Sequence, residues 1–410
     1  MKYGLIGEKL GHSFSKEIHE SLGYDYELRE IARDELDGFM RERDFLGINV
    51  TIPYKETVIP YLDFIDDDAK EIGAVNTIVN RGGKLYGYNT DFYGLKMLLA
   101  NAGIDVKGKK AAILGTGGTS KTAKAVLSSL GACEIIKVSR SARKDAISYE
   151  DLICSHPDVE IIVNTTPVGM YPDVENMPLD LYSIEKLSGV IDVVYNPLRT
   201  ALVQSAAFCA APAEGGLYML VGQAVRASEI FLDIKYPEET IDRIYERTRA
   251  KKENIVLIGM PASGKSTVGR IIADRLGRKF VDTDEVITDR IKMPIKDFFA
   301  KEGEEAFREI ERQVINELAC ESSLVIATGG GAVINELNQR DLSYNGRLYF
   351  IDRPLDKLMP TESRPLSSDR DAMKKRYAER YLIYLSVCDE KIDADCEAIA
   401  VAEKILENYR

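Results

Sequence analysis

The pattern of apolar and polar positions along the chain predicts strands that alternate with helices. Two apolar runs, Ala111–Leu114 and Ile255–Ile258, each lead into a glycine-rich turn and then into a stretch with helical spacing. A strand, a glycine turn and a helix in this order are typical of parallel α/β units. Because the two glycine turns differ in pattern, the halves are not copies of one domain. We predict the α/β fold class for both halves.

A third pattern, in the charged segment between the halves, predicts a helix. Ile241, Ile244 and Thr248 recur there at the spacing of one buried helix face, which places the helix over Glu239–Lys252. The length of 410 residues and the hydrophobic content of 45% allow two or three domains. We therefore expect a domain boundary near residue 250, at a short connection rather than a long tether.

The amino-acid composition indicates which kinds of molecule the protein binds and in which cellular compartment it is expected. The 54 basic and 66 acidic residues give a formal charge of −12, which provides no electrostatic surface for nucleic acid or anionic membranes. The six cysteines form no CxxC pair, and no apolar run approaches the roughly 18 residues of a membrane span. The chain opens on the apolar run Tyr3–Gly7 without a cationic leader. These features predict a cytoplasmic protein with reduced cysteines and small-molecule partners, and no obligate protein partner is evident.

The first glycine turn, Gly115-Thr-Gly-Gly-Thr-Ser120, is typical of a dinucleotide-binding loop. It follows a strand and opens a helix, so glycines bring backbone N–H groups and a helix N-terminus against a pyrophosphate. Ser120 replaces the usual third glycine, and a purely structural tight turn is the alternative. The next strand, Glu134–Val138, ends in Ser139-Arg140-Ser141, whose cation and hydroxyls suit a 2′-phosphate. This favours NADP over NAD, unless the segment is an exposed basic turn.

Polar residues upstream of this loop form clusters that a core does not require. The clusters are His12–Ser15, Asn49–Lys55, Ala74–Thr77 and Gly87–Asp91. Their hydroxyls, amides, amine and carboxylate suit a polyhydroxylated acid. A lysine beside an aspartate in a cleft can exchange a proton with an alcohol as a hydride leaves. Lys55 and Asp91 are the candidates, against the alternatives of a solvated lysine and an aspartate that caps the following helix.

The second glycine turn, Gly259–Ser266, matches the phosphate-binding pattern GxxxxGK[ST] between a strand and a helix. Its N–H groups would cradle phosphates, Lys265 would reach the β/γ oxygens, and the Ser266 hydroxyl can ligate Mg²⁺. Asp282 and Asp284 supply two carboxylates at the end of the next strand, where residues two apart share a face. A solvated loop that happens to carry both is the alternative.

Taken in order, the clusters of the first half resemble the shikimate dehydrogenase family over residues 1 to about 250. Asn164–Met170, Asp192–Pro197 and Gly216–Gln223 also carry the resemblance. It implies NADPH-linked reduction of 3-dehydroshikimate to shikimate, with Lys55 and Asp91 as the catalytic pair. The implied substrate-binding residues are Ser13, Ser15, Thr51, Asn76, Thr90, Tyr195 and Gln223, of which the two serines hold the carboxylate. The implied NADP-binding residues are Gly115, Gly117, Gly118, Thr119, Ser120, Ser139, Arg140, Thr165, Val168, Gly216 and Met219.

The second half resembles shikimate kinase over about residues 254–410. The motifs that carry this resemblance are Phe299, Gly303–Glu311, Thr328–Ala332, Arg364–Leu366 and Arg380. The implied ATP-binding residues are Gly259, Ala262, Ser263, Gly264, Lys265, Ser266 and Thr267. The resemblance further implies that Asp282 and Ser266 hold Mg²⁺ and that Asp284 binds the acceptor hydroxyl and acts as the base. Arg308 and Arg380 would bind the substrate carboxylate, and Gly330 and Gly331 would direct backbone amides toward the substrate. Arg364, on a lid, would contact the transferred phosphoryl group. The lid sequence before Arg364 is short and weakly basic, with Lys357 where a further nucleotide-contacting arginine is expected.

Together the resemblances imply a bifunctional enzyme of aromatic amino-acid biosynthesis, with NADP(H), ATP and Mg²⁺ as cofactors. The expected domains are an α/β substrate domain (1–98 plus 223–250), a Rossmann NADP-binding domain (99–222) and a P-loop domain of the nucleoside-monophosphate-kinase type (251–410). Two alternatives stay open at this point. One half could be a regulatory module that binds shikimate without catalysis, or the first half could be a quinate/shikimate dehydrogenase that uses NAD.

Overall fold

The computed structural model of the chain describes residues 1–10, 14–142, 145–358 and 370–409, and for 370–373 it describes the backbone alone. The chain divides into two compact units, Met1–Thr248 and Arg249–Arg410. In the described ranges, no helix combines the length and the apolar character that a membrane span needs.

The first unit begins with a mixed sheet of six strands in the order β2-β1-β3-β5-β6-β4. The strands are β1 (Tyr3–Gly7), β2 (Glu27–Glu30), β3 (Gly47–Val50), β4 (Phe64–Ile65), β5 (Thr77–Arg81) and β6 (Lys84–Tyr88). The helices of this part are α1 (Ser15–Ser21), α2 (Leu36–Glu42), α3 (Asp67–Ile72) and α4 (Thr90–Asn101). All four residues of β3 are buried, because this strand is central and its side chains pack on both faces. The end of β3 therefore holds the polar residues that follow it in a fixed place.

A second sheet in the same unit is entirely parallel, in the order β11-β10-β9-β7-β8. Its strands are β7 (Lys110–Leu114), β8 (Glu134–Val138), β9 (Ile161–Asn164), β10 (Gly189–Asp192) and β11 (Ala213–Glu214). The helices are α5 (Gly118–Ser129), α6 (Tyr149–Ser155), α7 (Ala201–Phe208), α8 (Leu217–Leu232) and α9 (Thr240–Lys252). This is a Rossmann-like arrangement, and the strand predicted before Gly115 is confirmed. The helix predicted over Glu239–Lys252 is also confirmed, and its three face residues are buried.

Helices α4 and α8 cross at very short range, which joins the two sheets of the first unit. A Cβ atom on Gly94 would lie 2.5 Å from the Met219 carbonyl oxygen, and one on Gly222 would lie 3.4 Å from the Gly94 Cα. Any larger side chain at Gly94 would push the helices apart. The crossing brings the first turn of α4 beside Gln223 on α8.

The second unit is built on one parallel sheet in the order β13-β14-β12-β15-β16. Its strands are β12 (Asn254–Ile258), β13 (Phe280–Asp282), β14 (Val325–Ala327), β15 (Gly346–Asp352) and β16 (Glu390–Asp393). Its helices are α10 (Lys265–Leu276), α11 (Thr283–Ile291), α12 (Ile295–Ala319, bent at Gly303), α13 (Glu336–Asn345), α14 (Arg370–Val387) and α15 (Ala398–Asn408). Alternate residues of β12 enter two separate apolar clusters, as expected for a strand buried on both faces. The strand predicted before Gly259 is confirmed.

Candidate active sites

A cavity of about 400 Å³ lies between the two sheets of the first unit. Its wall brings together residues that the sequence assigned to substrate and to cofactor. Those assigned to substrate or catalysis are Ser15, Thr51, Lys55, Asn76, Asp91, Tyr195 and Gln223, and those assigned to cofactor are Thr119, Gly216 and Met219. Ser13 lies outside the described residues. Segments more than 150 residues apart in sequence therefore meet at one cleft.

Lys55 and Asp91 form an ion pair in this cavity, with 2.6 Å between Lys55 Nζ and Asp91 Oδ2. Their side chains are only 18% and 11% exposed, so little water competes for the contact. Asp91 stands in the first turn of α4, but the residue that caps this helix is Asn89, whose side chain accepts a hydrogen bond from the Phe92 N–H at 3.2 Å. The helix therefore does not need Asp91 as its cap, and the carboxylate is left for Lys55.

The other polar residues of the cleft are held by hydrogen bonds to one another. Asn76 Oδ1 accepts from the Thr90 N–H at 2.7 Å, and the Thr90 hydroxyl lies 3.4 Å from Gln223 Oε1. Thr90 is nearly fully buried and is not part of the cavity wall, so it lies behind the residues that face the cavity. Asn49 belongs to a predicted polar cluster but was assigned no role of its own. It lines the cavity, donates to the Thr77 hydroxyl at 3.0 Å and accepts from the Tyr26 hydroxyl at 2.7 Å.

The dinucleotide loop leaves open space where a pyrophosphate would sit. Gly115 has a φ of +110°, and a Cβ there would lie 2.8 Å from the Thr165 hydroxyl, so only glycine fits this turn. At Gly117 and Gly118, by contrast, an added Cβ would meet none of the described atoms within 4 Å. Ser120 is buried, so its side chain points into the unit and not into this space. That burial explains why a small residue other than glycine is accepted at the third position.

The remaining residues assigned to the cofactor differ in how accessible they are. Arg140 is exposed just beyond β8 and has no acidic partner in the part of the chain that the structure describes, whereas Ser139 is buried and donates to the Ser141 carbonyl oxygen. The Thr165 hydroxyl is already donated to the Leu114 carbonyl oxygen at 2.7 Å. Val168 is half-buried. Of the Ser139-Arg140 pair, only the guanidinium is presented to solvent.

In the second unit, Gly259–Gly264 wraps a turn from β12 into α10. Gly259 and Gly264 have φ values of +139° and +96°, and Ala262 also has a positive φ of 64°. Lys265 is buried and its Nζ donates to the Gly259 and Met260 carbonyl oxygens at 2.9 and 2.8 Å. Within the described chain, Ser263 Oγ is buried without a hydrogen-bond partner. The loop thus holds its ammonium at its centre, in the place where phosphates bind in such loops. Thr267 is exposed one residue beyond Ser266.

Two oxygen groups that could hold a cation meet beside this loop. The Ser266 hydroxyl donates to Asp282 Oδ2 at 2.6 Å, and Asp282 Oδ1 accepts from the Asp284 N–H at 3.0 Å. The expectation that Asp282 and Asp284 share the face of one strand is wrong, because β13 ends at Asp282 and Asp284 lies in the first turn of α11. Both nevertheless line one cavity of about 720 Å³. Asp282 acts as the helix cap, which turns Asp284 toward that cavity.

Two arginines also line this cavity. Arg308 donates to Glu311 at 2.7 Å and to Glu304 at 3.0 Å, and Arg380 donates to the Gly330 carbonyl oxygen at 3.0 Å. Burial raises the pKa of Glu311, and the Arg308 charge opposes that rise. Glu311 has no role predicted from the sequence, although it is buried against an arginine that faces the cavity.

The glycines after β14 are required by these neighbours. A Cβ on Gly331 would lie 2.6 Å from an Arg308 nitrogen, and one on Gly330 would lie 2.6 Å from the Pro261 ring. The run therefore makes room for a guanidinium and for the phosphate-binding loop. Arg364 and the lid sequence before it, from 359 onward, lie outside the described residues. Among the described residues there is no group of three or more His, Cys, Asp or Glu side chains that could hold a metal.

Two family models match the chain in separate places. The model of the shikimate dehydrogenase substrate binding domain matches residues 5–78, and the shikimate kinase model matches residues 261–410. The first match covers the early strands and the Lys55 segment. The second covers most of the phosphate-binding loop and everything that follows it.

Proteins named as shikimate dehydrogenases match the first unit over almost their whole length. The NADP(+)-dependent shikimate dehydrogenase of Clostridium perfringens strain SM101 is 40% identical over 268 residues, which are 61% of this chain and 98% of that protein. The crystal structure of shikimate dehydrogenase 1 from Peptoclostridium difficile is 41% identical, covers 60% of this chain and 98% of that one, and has a TM-score of 0.56. The Thermus thermophilus enzyme in complex with NADP(H) and shikimate is 28% identical with a TM-score of 0.54, over 60% of this chain and 99% of that chain.

Proposed function

Because the chain belongs to the shikimate dehydrogenase family and continues into a shikimate kinase domain, we propose that it catalyses two consecutive reactions. The first is the NADPH-dependent reduction of 3-dehydroshikimate to shikimate. The second is the ATP-dependent phosphorylation of shikimate to shikimate 3-phosphate. The observation that carries the proposal is that one chain holds both a shielded Lys55–Asp91 pair and a complete phosphate-binding loop with a Ser266–Asp282 contact.

For the reduction, Lys55 is the proton donor. NADPH supplies the hydride to the substrate carbonyl carbon, and the Lys55 ammonium gives its proton to the oxygen that becomes a hydroxyl. Asp91 keeps the ammonium at that oxygen and compensates its charge in a cleft with little water. Ser15 and Ser13 would hold the carboxylate, and Asn76, Gln223 and the remaining assigned residues would orient the hydroxyls.

The shape of the dinucleotide loop and the position of Arg140 support NADP as the cofactor. The open space at Gly117 and Gly118 suits a pyrophosphate at the start of α5. Arg140 stands beyond β8, the strand next to β7, where the adenosine ribose of a dinucleotide lies in such sheets. A guanidinium without an acidic partner in the described chain suits a 2′-phosphate. We also propose that residues 1–98 with 223–250 form the substrate domain and 99–222 the NADP-binding domain.

For the phosphorylation, Asp284 is the base that receives the proton of the acceptor hydroxyl. It faces the cavity from the first turn of α11, within one chamber with Arg308 and Arg380, which would hold the substrate carboxylate. Lys265 would leave the carbonyl oxygens of its own loop and contact the ATP phosphates. Arg364 keeps its proposed role at the transferred phosphoryl group.

The Ser266 hydroxyl and the Asp282 carboxylate fit a magnesium site. Mg²⁺ commonly takes one or two protein oxygens and fills its remaining positions with water and phosphate oxygens, so two groups suffice. The two oxygens are already 2.6 Å apart. When bound, Mg²⁺ would neutralise negative charge on the ATP phosphates. A cytoplasmic location remains a prediction from the sequence.

One assay with omitted components tests the whole proposal. The full chain receives 3-dehydroshikimate, NADPH, ATP and Mg²⁺, and NADPH absorbance and ADP are followed together. We expect one NADPH consumed and one ADP formed per substrate molecule, no ADP when NADPH is omitted, and ADP alone when shikimate replaces 3-dehydroshikimate. Binding of shikimate without turnover would instead indicate a regulatory module. Equal rates with NADH, or with quinate and NAD, would indicate the broader dehydrogenase.

A further inference from the structure

A third arginine faces the kinase cavity, one helical turn before Arg380. Arg376 and Arg380 both belong to α14, and residues four apart lie on the same face of a helix. Both side chains line the cavity of about 720 Å³, together with Arg308 and the neighbouring rings of Phe299 and Phe307, which are tilted by 38° to each other. The resemblance to shikimate kinase implies roles for Arg308 and Arg380 but none for Arg376.

The three guanidinium groups differ in what holds them. Arg308 is held by Glu311 and Glu304, and Arg380 donates to the Gly330 carbonyl oxygen. Arg376 Nη1 is buried, and in the described ranges it has no hydrogen-bond partner. Burial lowers the pKa of Arg376, and the neighbouring Arg380 charge lowers it further. A buried cationic donor without a partner is unfavourable, so this arrangement favours an anion that enters the cavity.

The anion that fits is the carboxylate of the substrate rather than a phosphate of the nucleotide. The cavity that Arg376 lines contains Asp284 and the two aromatic rings. It reaches Pro261 and Asp282 on the nucleotide side, but none of Gly264, Lys265 and Ser266, which would contact the ATP phosphates, line it. A guanidinium matches a planar carboxylate with two parallel N–H groups. We propose that Arg376 is a third carboxylate-binding residue of the kinase site and that it sets the preference for acids over neutral analogues. This rests on the proposed kinase function.

The test compares shikimate with its neutral carboxamide in the full chain. Arg376→Met is expected to lower kcat/KM for shikimate about tenfold, because one charge-assisted contact is lost, and to leave kcat/KM for the carboxamide unchanged. Arg376→Lys keeps the positive charge but loses the two parallel N–H groups of the guanidinium. Its kcat/KM for shikimate should lie between those of the unaltered chain and Arg376→Met. Lys375→Met, at an exposed neighbouring position on the same helix, should change neither substrate. An unchanged KM for ATP reports that the second unit of each variant is folded, and an unchanged rate of reduction reports that the first unit is intact.

The outcomes separate the inference from the function on which it rests. If the unaltered chain forms no ADP from shikimate, the proposed kinase function fails and the inference fails with it. If shikimate is phosphorylated but Arg376→Met changes acid and carboxamide equally, or neither, the role of Arg376 alone is overturned. Should Arg376→Met fail to fold, the acid-to-carboxamide ratio of Arg376→Lys and of Arg376→Gln decides instead.

Discussion

The two sites hold their polar groups in different ways before a substrate arrives. In the first unit, Lys55 and Asp91, the proposed catalytic residues, are already paired with each other, and we expect the pair to stay together through the reaction. In the second unit, Lys265, Arg308 and Arg380 are engaged by groups that a ligand must displace or share. The polar pair of the first site therefore already has the arrangement that its reaction needs, whereas the cations of the second site must first leave or share their partners within the protein.

This difference follows from the charge that each reaction moves. The reduction transfers one hydride and one proton, so a single ammonium held by a carboxylate in a shielded cleft is sufficient. The phosphorylation brings several negative charges against one loop, so its cations must change partners as ATP and the acid bind. Fixed geometry should matter most in the first site, and exchange of partners in the second.

Removal of Lys55, the proposed proton donor, should give the largest loss of activity, and it tests whether the two sites are independent. Lys55→Ala is expected to lower kcat for reduction about 10²- to 10⁴-fold, because the carbonyl oxygen loses its acid. Phosphorylation of shikimate should be unchanged. The matched control is Lys96→Ala, an exposed lysine on α4. Loss of both activities with folding intact would contradict two independent sites.

The corresponding change in the second unit should act on the other reaction alone. Lys265→Ala is expected to lower kcat for phosphorylation about 10²- to 10³-fold, because the charge at the transferred group loses its main cation. Reduction of 3-dehydroshikimate should continue at its normal rate, measured by NADPH absorbance. Lys296→Ala, at an exposed position on α12, serves as the control. A normal rate of ADP formation in Lys265→Ala would show that the loop lysine is not used.

A smaller effect is expected at the cofactor end of the first site. Arg140→Leu should raise the KM for NADPH about 10- to 100-fold, the range for a lost charge-assisted contact, and leave the KM for NADH unchanged. Lys137→Ala is the control, since this cation on β8 pairs with Asp145 at 2.8 Å. Equal changes in both KM values would show that Arg140 acts on the fold of the turn and not on a 2′-phosphate.

Local sequence patterns were sufficient for the glycine loops and the strands before them. A loop of glycines at fixed spacing has one way to turn from a strand into a helix, and both loops at Gly115 and Gly259 have the positive φ angles that this turn requires. The helix before the boundary was predictable for a similar reason, because its buried face repeats at helical spacing. In both cases the determining contacts lie close together along the chain.

Contacts between distant segments were not predictable from such patterns. The sequence could not decide whether Asp91 capped α4, since that depended on Asn89 taking the cap and on Lys55 arriving from β3. It placed Asp282 and Asp284 on one strand, because Asp282 both ends β13 and caps α11, and the strand alternation was extended past that residue. The place of Thr90 behind the wall depends on the α4 and α8 crossing.

The smallest expected effect concerns acid stability, and it should also distinguish the units, since all three histidines lie before residue 249. His19 is buried, stacks on Tyr26 with ring centroids 4.0 Å apart, and donates to or accepts from the Tyr24 hydroxyl. Burial lowers the pKa of His19 from 6.5 to about 3. Below pH 6.5 His19 binds a proton in the unfolded chain but stays neutral in the folded unit, so the free energy of unfolding decreases as the pH is lowered. From pH 7.5 to 5.5, His19 alone lowers the free energy of unfolding by about 1.4 kcal/mol.

His19→Phe should remove that loss, because phenylalanine keeps the ring stack but cannot be protonated. The measurement is the free energy of unfolding of the first unit in urea at both pH values, compared between variant and unaltered chain. The comparison between variant and unaltered chain is needed because a second buried group titrates in this range. Burial raises the pKa of Asp192 to about 6, so protonation of Asp192 increases the free energy of unfolding as the pH is lowered and partly offsets the effect of His19. Tyr24→Phe loses the same hydrogen bond yet keeps the imidazole, so it should retain most of the pH dependence. If His19→Phe and Tyr24→Phe respond alike, the acid sensitivity arises from the hydrogen bond and not from the buried ring.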